Sequence, residues 1–372
     1  MGGGQNAVSS DGAFGFIGGG QSNALTGDAG DSAIVGGYSN GVSGADSFIG
    51  SGSNNSVSGA SAAIAGGDSN TASGSNSSIG GGKSNTITTA ASYAAIGGGQ
   101  TNNLSGAYGF LGAGTNNTLS AEYGVLVGGT NNAVSGEGAY IAAGGYNTAS
   151  GEGAVVDGGF QSTAAGTFAT VPGGYVNNAA GTYSFAAGAR ASAAQTGTFV
   201  WSDGSDGDTI LTSSRAYQFL ARASGGFTLY TNAGSTVGAQ LGAGSGSWAS
   251  LSDRNAKTAI VPVDGDAVLA KVDALPISRW SYKSEHGVRH VGPMAQDFYA
   301  AFKVGEDDRH ITSIDEDGVA LAAIKALNRS LRAQEQTSGE MIAQLRRELA
   351  AERAHGRRVD AELARIVTVL RK

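Results

Sequence analysis

The residues of this chain whose types and spacing could support chemistry are concentrated after residue 250. Four blocks stand out there: Ser-Asp-Arg-Asn-Ala-Lys at 252–257, Trp-Ser-Tyr-Lys at 280–283, His-Val-Gly-Pro-Met-Ala-Gln-Asp at 290–297, and Asp-Gly at 317–318 leading into Ala-Ala-Ile-Lys-Ala-Leu at 322–327. Taken singly, each has an ordinary structural explanation. A Ser-Asp pair most often caps a helix or forms a turn, His290 alone would be a structural histidine, and Gln296 alone an ordinary helix residue.

The first block contains residue types that suit nucleophilic chemistry. A serine hydroxyl is a poor nucleophile until a base removes its proton. A lysine can be that base where burial or neighbouring charge lowers its pKa. A serine that directly follows a peptide bond can also reach the preceding carbonyl through a five-membered ring, which gives an ester that water then opens.

Together, in this order and at the end of a repetitive chain, the four blocks resemble the endosialidase-type intramolecular chaperone, a self-cleaving serine peptidase family. The resemblance covers about 250–330. It implies a domain that trimerises, drives folding of the β-structured fibre before it, and then releases itself by cutting before the serine of the Ser-Asp pair.

Carried over to this chain, the resemblance implies a scissile bond between Leu251 and Ser252, with Ser252 as nucleophile and Lys257 as its partner. His290 would assist proton transfer or hold the cut site. Asp253 would orient Ser252 or Lys257, or simply cap a turn, and Gln296 would support the site. No cofactor and no metal are expected, and the chain would act once, in cis, rather than turn over.

These residues must be positioned by what precedes them, and the first half of the chain is a repeat. A Gly-x-x-Asn unit recurs in steps of mostly 15 residues, with three steps of 17: Asn6, Asn23, Asn40, Asn55, Asn70, Asn85, Asn102, Asn117, Asn132, Asn147 and Asn177, with Ser162 at the one gap. Two apolar columns accompany it. One lies two residues after each Asn, as at Leu104 and Leu119, and the other includes Ile96, Leu111 and Leu126.

A 15-residue coil holds two short strands and two turns, each strand pointing one large residue inward. Glycine supplies the turns, which need positive φ. Coils stacked at about 4.8 Å per rung make a rod on the order of 55–60 Å long. Each coil buries little by itself, so three rods packed together would bury more. The pattern resembles the left-handed β-roll heads of trimeric autotransporter adhesins (the YadA-like head).

The recurring Asn and Gly residues are interpreted as turn chemistry, with a ligand-binding ladder as the alternative. A calcium-binding glycine-rich repeat would need an aspartate in every turn, whereas Asp68 and Asp157 are isolated. A glycan-degrading enzyme is disfavoured because the repeat offers no recurring pair of buried carboxylates.

After Gly188 the period stops, and segments 197–201, 217–221 and 227–231 are predicted to be strands of an intertwined neck. Asp203, Asp206 and Asp208 lie close together there and could bind a cation; a polar hairpin loop is the preferred interpretation. From Gly318 onward, apolar residues at three-four spacing predict a long helix, interpreted as a trimeric coiled coil, with a single solvated helix as the alternative.

Composition and charge exclude several classes of protein. The chain has 372 residues, 63 of them glycine, no cysteine and a formal charge of -7. Up to Val200 it has only two basic residues, Lys83 and Arg190, so nucleic acid is not an expected partner of the shaft. No apolar run approaches the length of a membrane span. No signal peptide is visible, and the start in mid-repeat leads us to expect an N-terminal anchor before Met1.

The sequence therefore predicts a mostly β protein with an α-helical C-terminus, forming a homotrimer. The predicted regions are a left-handed parallel β-roll or solenoid rod (1–190), a β-rich neck and linker (191–250), an α+β chaperone and autoprotease domain (251–330), and a coiled-coil helix (331–372). We expect an extracellular, cell-surface or virion-tail fibre. Its partners would be its own copies and a host-surface glycan or receptor. The alternative is a bacterial adhesin with an uncleaved trimerisation domain.

Overall fold

The computed structural model describes residues 3–9 and 13–371. Met1 and Gly2, at the start of the predicted rod, and Lys372, at the end of the predicted coiled coil, lie outside the described residues. Contacts divide the chain into two units: one runs to Phe227 and includes Leu241–Ser247, and the other comprises Thr228–Gln240 and everything from Trp248 onward. In the described part of the chain, no helix combines the length and the apolar composition that a membrane span requires.

In its described residues, the first unit is a solenoid of two parallel sheets, each with fourteen strands. The odd-numbered strands form the first sheet: β1 (Ala7–Val8), β3 (Ala24–Leu25), β5 (Gly41–Val42), β7 (Ser56–Val57), β9 (Thr71–Ala72), β11 (Thr86–Ile87), β13 (Asn103–Leu104), β15 (Thr118–Leu119), β17 (Ala133–Val134), β19 (Thr148–Ala149), β21 (Thr163–Ala164), β23 (Asn178–Ala179), β25 (Ala191–Ala193) and β27 (Leu211–Thr212). The even-numbered strands form the second sheet: β2 (Phe16–Ile17), β4 (Ala33–Ile34), β6 (Phe48–Ile49), β8 (Ala63–Ile64), β10 (Ser78–Ile79), β12 (Ala95–Ile96), β14 (Phe110–Leu111), β16 (Val125–Leu126), β18 (Tyr140–Ile141), β20 (Val155–Val156), β22 (Thr170–Val171), β24 (Phe185–Ala189), β26 (Phe199–Asp203) and β28 (Phe219–Arg222).

The two predicted apolar columns form the core of this solenoid. Leu104, Leu119, Ile96, Leu111 and Leu126 are at most 1% exposed, and they belong to one continuous cluster. From β1 to β23, each strand contributes one inward residue and is only two residues long. The parallel β-solenoid predicted from the 15-residue period is thereby confirmed.

The asparagine column also lies inside the solenoid, which turn chemistry alone did not predict. Asn117 is fully buried. Its backbone N–H and its Nδ2 both donate to Oδ1 of Asn102 at 3.1 Å, and Nδ2 also donates to the carbonyl of Gly129 at 2.9 Å. Oδ1 of Asn117 accepts in turn from the N–H of Asn132 at 3.0 Å. The side-chain amide of one rung therefore forms hydrogen bonds with the buried backbone of the neighbouring rung. Buried polar groups need such partners.

Removing one amide from this ladder should be costly. Asn117→Ala would leave the N–H of Asn132 buried without its acceptor, and we expect the free energy of unfolding to fall by about 3 kcal/mol. Asn117→Ser should cost less, because Ser162 already occupies the column and its Oγ accepts from the N–H of Asn177 at 3.3 Å. Denaturant unfolding of wild type, Asn117→Ala and Asn117→Ser tests this prediction. Equal unfolding midpoints for Asn117→Ala and wild type would contradict it.

Glycine is required where one rung touches the next. Gly114 has φ of 105°, and a Cβ placed on it would lie 2.2 Å from the carbonyl oxygen of Gly129. Positive φ is strained for residues with a side chain, and the contact leaves no room for one. Both the positive φ of the turn and the short distance between rungs therefore require glycine at position 114.

The solenoid continues past the boundary predicted at residue 190. The strands predicted at 197–201 and 217–221 are found as β26 and β28, but they extend the second sheet instead of forming a separate intertwined neck. Phe185 stacks on Phe199 at 4.7 Å and Phe199 on Phe219 at 4.6 Å between ring centroids. The rungs continue because the column formed by Phe185, Phe199 and Phe219 stays in register. The segments between the strands vary too much in length to show a period in the sequence.

Asp203, Asp206 and Asp208 are paired with arginines. Arg222 contacts Asp203 and Asp206, and Arg190 contacts Asp208. The N–H groups of Ser224 and Ser205 donate to the Asp203 carboxylate at 2.6 and 3.1 Å, and these hydrogen bonds lower the pKa of Asp203 far below the usual range. The cluster therefore holds the end of the solenoid through ion pairs.

The part of the second unit that the structure describes contains short strands and three helices. Strands β29 (Gly226–Tyr230), β30 (Gly238–Gly242) and β31 (Trp248–Ser250) form a three-stranded sheet in that order. A 3-10 turn follows at Arg254–Ala256, then α1 (Gly265–Ala274), an antiparallel pair β32 (Ser278–Trp280) and β33 (His290–Gly292), α2 (Ala295–Phe302) and α3 (Ser313–Leu370).

Helix α3 runs unbroken for 58 residues, starting five residues before the predicted Gly318 because Thr312 caps it and accepts from the N–H of Asp315. Its apolar stripe is exposed along the protomer: Ile324, Leu327, Leu331, Met341, Leu345, Leu349, Val359, Leu363, Ile366 and Leu370. The predicted long helix is confirmed. Within the described residues, no other element covers this apolar stripe.

Candidate active site

The segment before Ser252 is held as an edge strand. Strand β31 pairs with β30, and one residue further on the N–H of Leu251 donates to the carbonyl of Gly238 at 3.4 Å. A hollow of about 280 Å³ lies beside this segment, between Tyr230, Gln240 and Leu251. The chain therefore reaches Ser252 in an extended conformation, anchored on the N-terminal side of the predicted scissile bond.

A tight turn follows at once and sets the position of Lys257. The Asp253 carboxylate accepts from the N–H of Asn255 at 2.9 Å and caps the 3-10 turn Arg254–Ala256. Lys257 ends that turn, with its N–H donating to the carbonyl of Arg254 at 3.2 Å. Of the two roles considered for Asp253, the structure places it in the capping role.

This turn brings the predicted pair together. Lys257 Nζ lies 2.7 Å from Ser252 Oγ, within hydrogen-bonding distance. An ammonium donates to the hydroxyl oxygen across this contact, whereas a neutral amine accepts the hydroxyl proton, so the same geometry serves both protonation states. Both side chains are exposed in the protomer. The chain thus supplies the proximity that base catalysis needs, while both side chains lie in contact with solvent.

His290 lies in a different cluster. Its Nε2 is 3.0 Å from Oε2 of Glu285, its ring stacks on Trp280 at 4.6 Å, and Tyr282 packs edge-on at 5.7 Å. Within the described residues it makes no hydrogen bond to Ser252 or Lys257. The blocks at 280–283 and 290–297 therefore contact each other across the β32–β33 pair. Within the described residues they form a cluster separate from Ser252.

Gln296 belongs with this second cluster. It is exposed at the start of α2 and lines a cleft of about 390 Å³ together with Trp280, Tyr282 and Arg309. Sequence reasoning assigned both His290 and Gln296 to the cut site, and neither contacts it within the protomer. No group of His, Asp or Glu in the described part of the chain is arranged to hold a metal ion.

The second unit has little core of its own. Of its residues, Phe298, Ala323 and Ala326 are buried, and helix α1 packs on α3 with Gly265 close to Ala326. Arg329 pairs with Asp266 at 2.5 Å, which raises the pKa of the arginine. Large apolar side chains such as Val261, Val291 and Leu321 remain exposed. The described residues of this unit therefore bury few of its large apolar side chains.

Comparison with known proteins agrees with this part of the sequence interpretation. Residues 252–304 match the family model described as chaperone of endosialidase. The match begins at Ser252, the residue after the predicted scissile bond, and ends shortly after α2. No curated protein matches the chain. The match supports a chaperone domain of the self-cleaving serine peptidase type in this region, preceded by a β-solenoid.

Proposed function

We propose that this chain is a trimeric fibre subunit whose C-terminal region assembles three copies and then releases itself by cutting between Leu251 and Ser252. The observation that carries the proposal is the 2.7 Å contact between Lys257 Nζ and Ser252 Oγ, at the first residue of the matched segment. The fibre part that remains would be the solenoid with the β29–β31 sheet. The released part would be the segment from Ser252 onward.

The proposed chemistry uses Lys257 as the base and Ser252 as the nucleophile. Lys257 takes the proton from Ser252 Oγ, and the oxygen attacks the carbonyl carbon of Leu251 through a five-membered ring. The C–N bond breaks, the proton passes to the amine nitrogen of Ser252, and an ester joins Leu251 to Oγ. Water then hydrolyses the ester, which leaves a carboxylate on Leu251 and a free hydroxyl and amine on Ser252.

Exposure of the pair explains why cleavage would follow assembly. A lysine side chain in open water stays protonated at neutral pH and is a poor base. Burial disfavours the charged form and so favours the neutral amine. Copies that pack their exposed apolar side chains around the second unit would cover the Ser–Lys pair. The nucleophile would then become competent only once the fibre has formed.

Assembly would serve folding, because contacts between chains are non-local and slow to form. Helix α3 offers an apolar stripe along which three chains can align. Cleavage after assembly would then make the assembly irreversible. We place such a fibre outside the cell, on a cell surface or on a virion tail. A glycan or receptor on a host surface is its expected partner in addition to its own copies.

A second candidate function is an adhesin whose C-terminal domain trimerises without cutting. The exposure of both Ser252 and Lys257 in the protomer favours it. Light scattering on the purified chain, followed by a denaturing gel, separates the candidates. We expect three copies per particle and two fragments on the gel. Three uncut copies would favour the adhesin, and a monomer would contradict both.

A further inference from the structure

The outer surfaces of the two solenoid sheets differ in chemistry. The first residue of each strand from β1 to β23 points outward on the first sheet, and this column holds small and polar residues: Ala7, Ala24, Gly41, Ser56, Thr71, Thr86, Asn103, Thr118, Ala133, Thr148, Thr163 and Asn178. The corresponding column of the second sheet is mostly apolar and half aromatic: Phe16, Ala33, Phe48, Ala63, Ser78, Ala95, Phe110, Val125, Tyr140, Val155, Thr170, Phe185, Phe199 and Phe219. We call the second column the apolar face.

The apolar face is continuous and uncharged along the solenoid. Strand pairing keeps its residues in register from each rung to the next, as in Phe110 with Val125 and Val125 with Tyr140. Phe16, Phe48 and Phe110 are 57, 41 and 45% exposed, although the residue that follows each of them is buried. A monomer in water gains nothing from aromatic side chains at such positions, and a contiguous apolar patch of this extent marks an interaction surface.

From these observations we infer that the apolar face is the surface through which copies of this chain pack against one another, with the first sheet turned to solvent. The inference rests on the proposed assembly of three copies and adds which surface of the solenoid meets the partner. Its occupant is a second copy because the face repeats rung by rung over all fourteen strands of the sheet. Another copy presents the same repeat over the same length.

Size and shape agree with that occupant. Fourteen rungs at about 4.8 Å give the apolar face a length of about 60 Å. Along this face Phe48 lies between the smaller Ala33 and Ala63, and it is 41% exposed.

The absence of cysteine from the sequence makes this face directly testable. Ser78 lies on the apolar face and Ser56 on the first sheet, and both are exposed serines in two-residue strands. Full-length Ser78→Cys and Ser56→Cys, each first shown by light scattering to be assembled, are treated with a short bis-maleimide. We expect crosslinked chains on a denaturing gel for Ser78→Cys and almost none for Ser56→Cys.

A second pair of variants tests the apolar face without a crosslinker. Phe110→Glu should abolish or strongly weaken assembly because it buries an unpaired charge, whereas Thr118→Glu, outward on the first sheet, should leave assembly unchanged. An assembled wild type in which Ser56→Cys crosslinks and Phe110→Glu is harmless would overturn this inference while leaving the proposed function intact. A monomeric wild type would instead defeat the proposed function.

Discussion

Replacing Ser252 with alanine is expected to abolish self-cleavage and leave a chain of full length. Ser252 Oγ is the only atom in the proposed reaction that can form the ester with Leu251, so no slower version of the same path remains. The expected readout is a single band on a denaturing gel where wild type gives two. Folding and assembly should be unaffected, because the side chain is exposed and only one hydroxyl is lost.

Ser250→Ala provides the matched control. Ser250 is also exposed and lies two residues earlier, at the end of β31. This variant should cut like wild type. If Ser252→Ala still yields the two fragments, Ser252 is not the nucleophile. If both variants stay uncut, the strand that leads to the bond matters more than the hydroxyl.

The second large effect is expected at Lys257. Lys257→Met keeps the length of the side chain but removes the amine 2.7 Å from Ser252 Oγ, and cleavage should slow by about 10³-fold, the usual worth of a positioned base. Lys257→Arg should be equally slow. A guanidinium keeps the charge and donates hydrogen bonds, but it does not accept a proton. The two variants together separate base catalysis from simple charge.

The rate of fragment formation after denatured chain is returned to native buffer measures this effect. Lys271→Met, an exposed lysine on α1, is the control and should cut at the wild-type rate. Rapid cleavage by Lys257→Arg would show that the positive charge, and not proton removal, is what the reaction uses.

The solenoid was predictable because its physics is periodic. A 15-residue coil repeats the same inward positions, so columns such as Ile96, Leu111 and Leu126 identify the core without any tertiary information. The location of the Asn column was not predictable from turn propensities. Asparagine is usually exposed, and its burial here becomes explicable only when the side chain of one rung is seen to bond the backbone of another.

The end of the solenoid was misplaced for a related reason. Periodicity in the sequence requires equal loop lengths, whereas a sheet requires only that the strands stay in register. The register is kept across unequal loops at Phe185, Phe199 and Phe219. The sheets therefore continue beyond the last regular repeat of the sequence. The ion pairs of Asp203 and Asp206 with Arg222 join residues far apart in sequence, so neither the preferred polar loop nor the alternative cation site anticipated them.

The candidate site was predictable in part. Ser252 and Lys257 are five residues apart and a single capped turn brings them together, so local structure is enough. His290 and Gln296 are brought to the Trp280 cluster by strand pairing and helix packing that sequence order did not reveal. What covers the Ser–Lys pair depends on other copies of the chain, which a single sequence does not specify.

Intact mass spectrometry of the purified wild-type protein is the most direct measurement of the central claim. Our account predicts two species that sum to the full chain plus one water, one ending at Leu251 and one beginning at Ser252. A single species with the mass of the uncut chain, found in protein shown to be fully assembled, would contradict it.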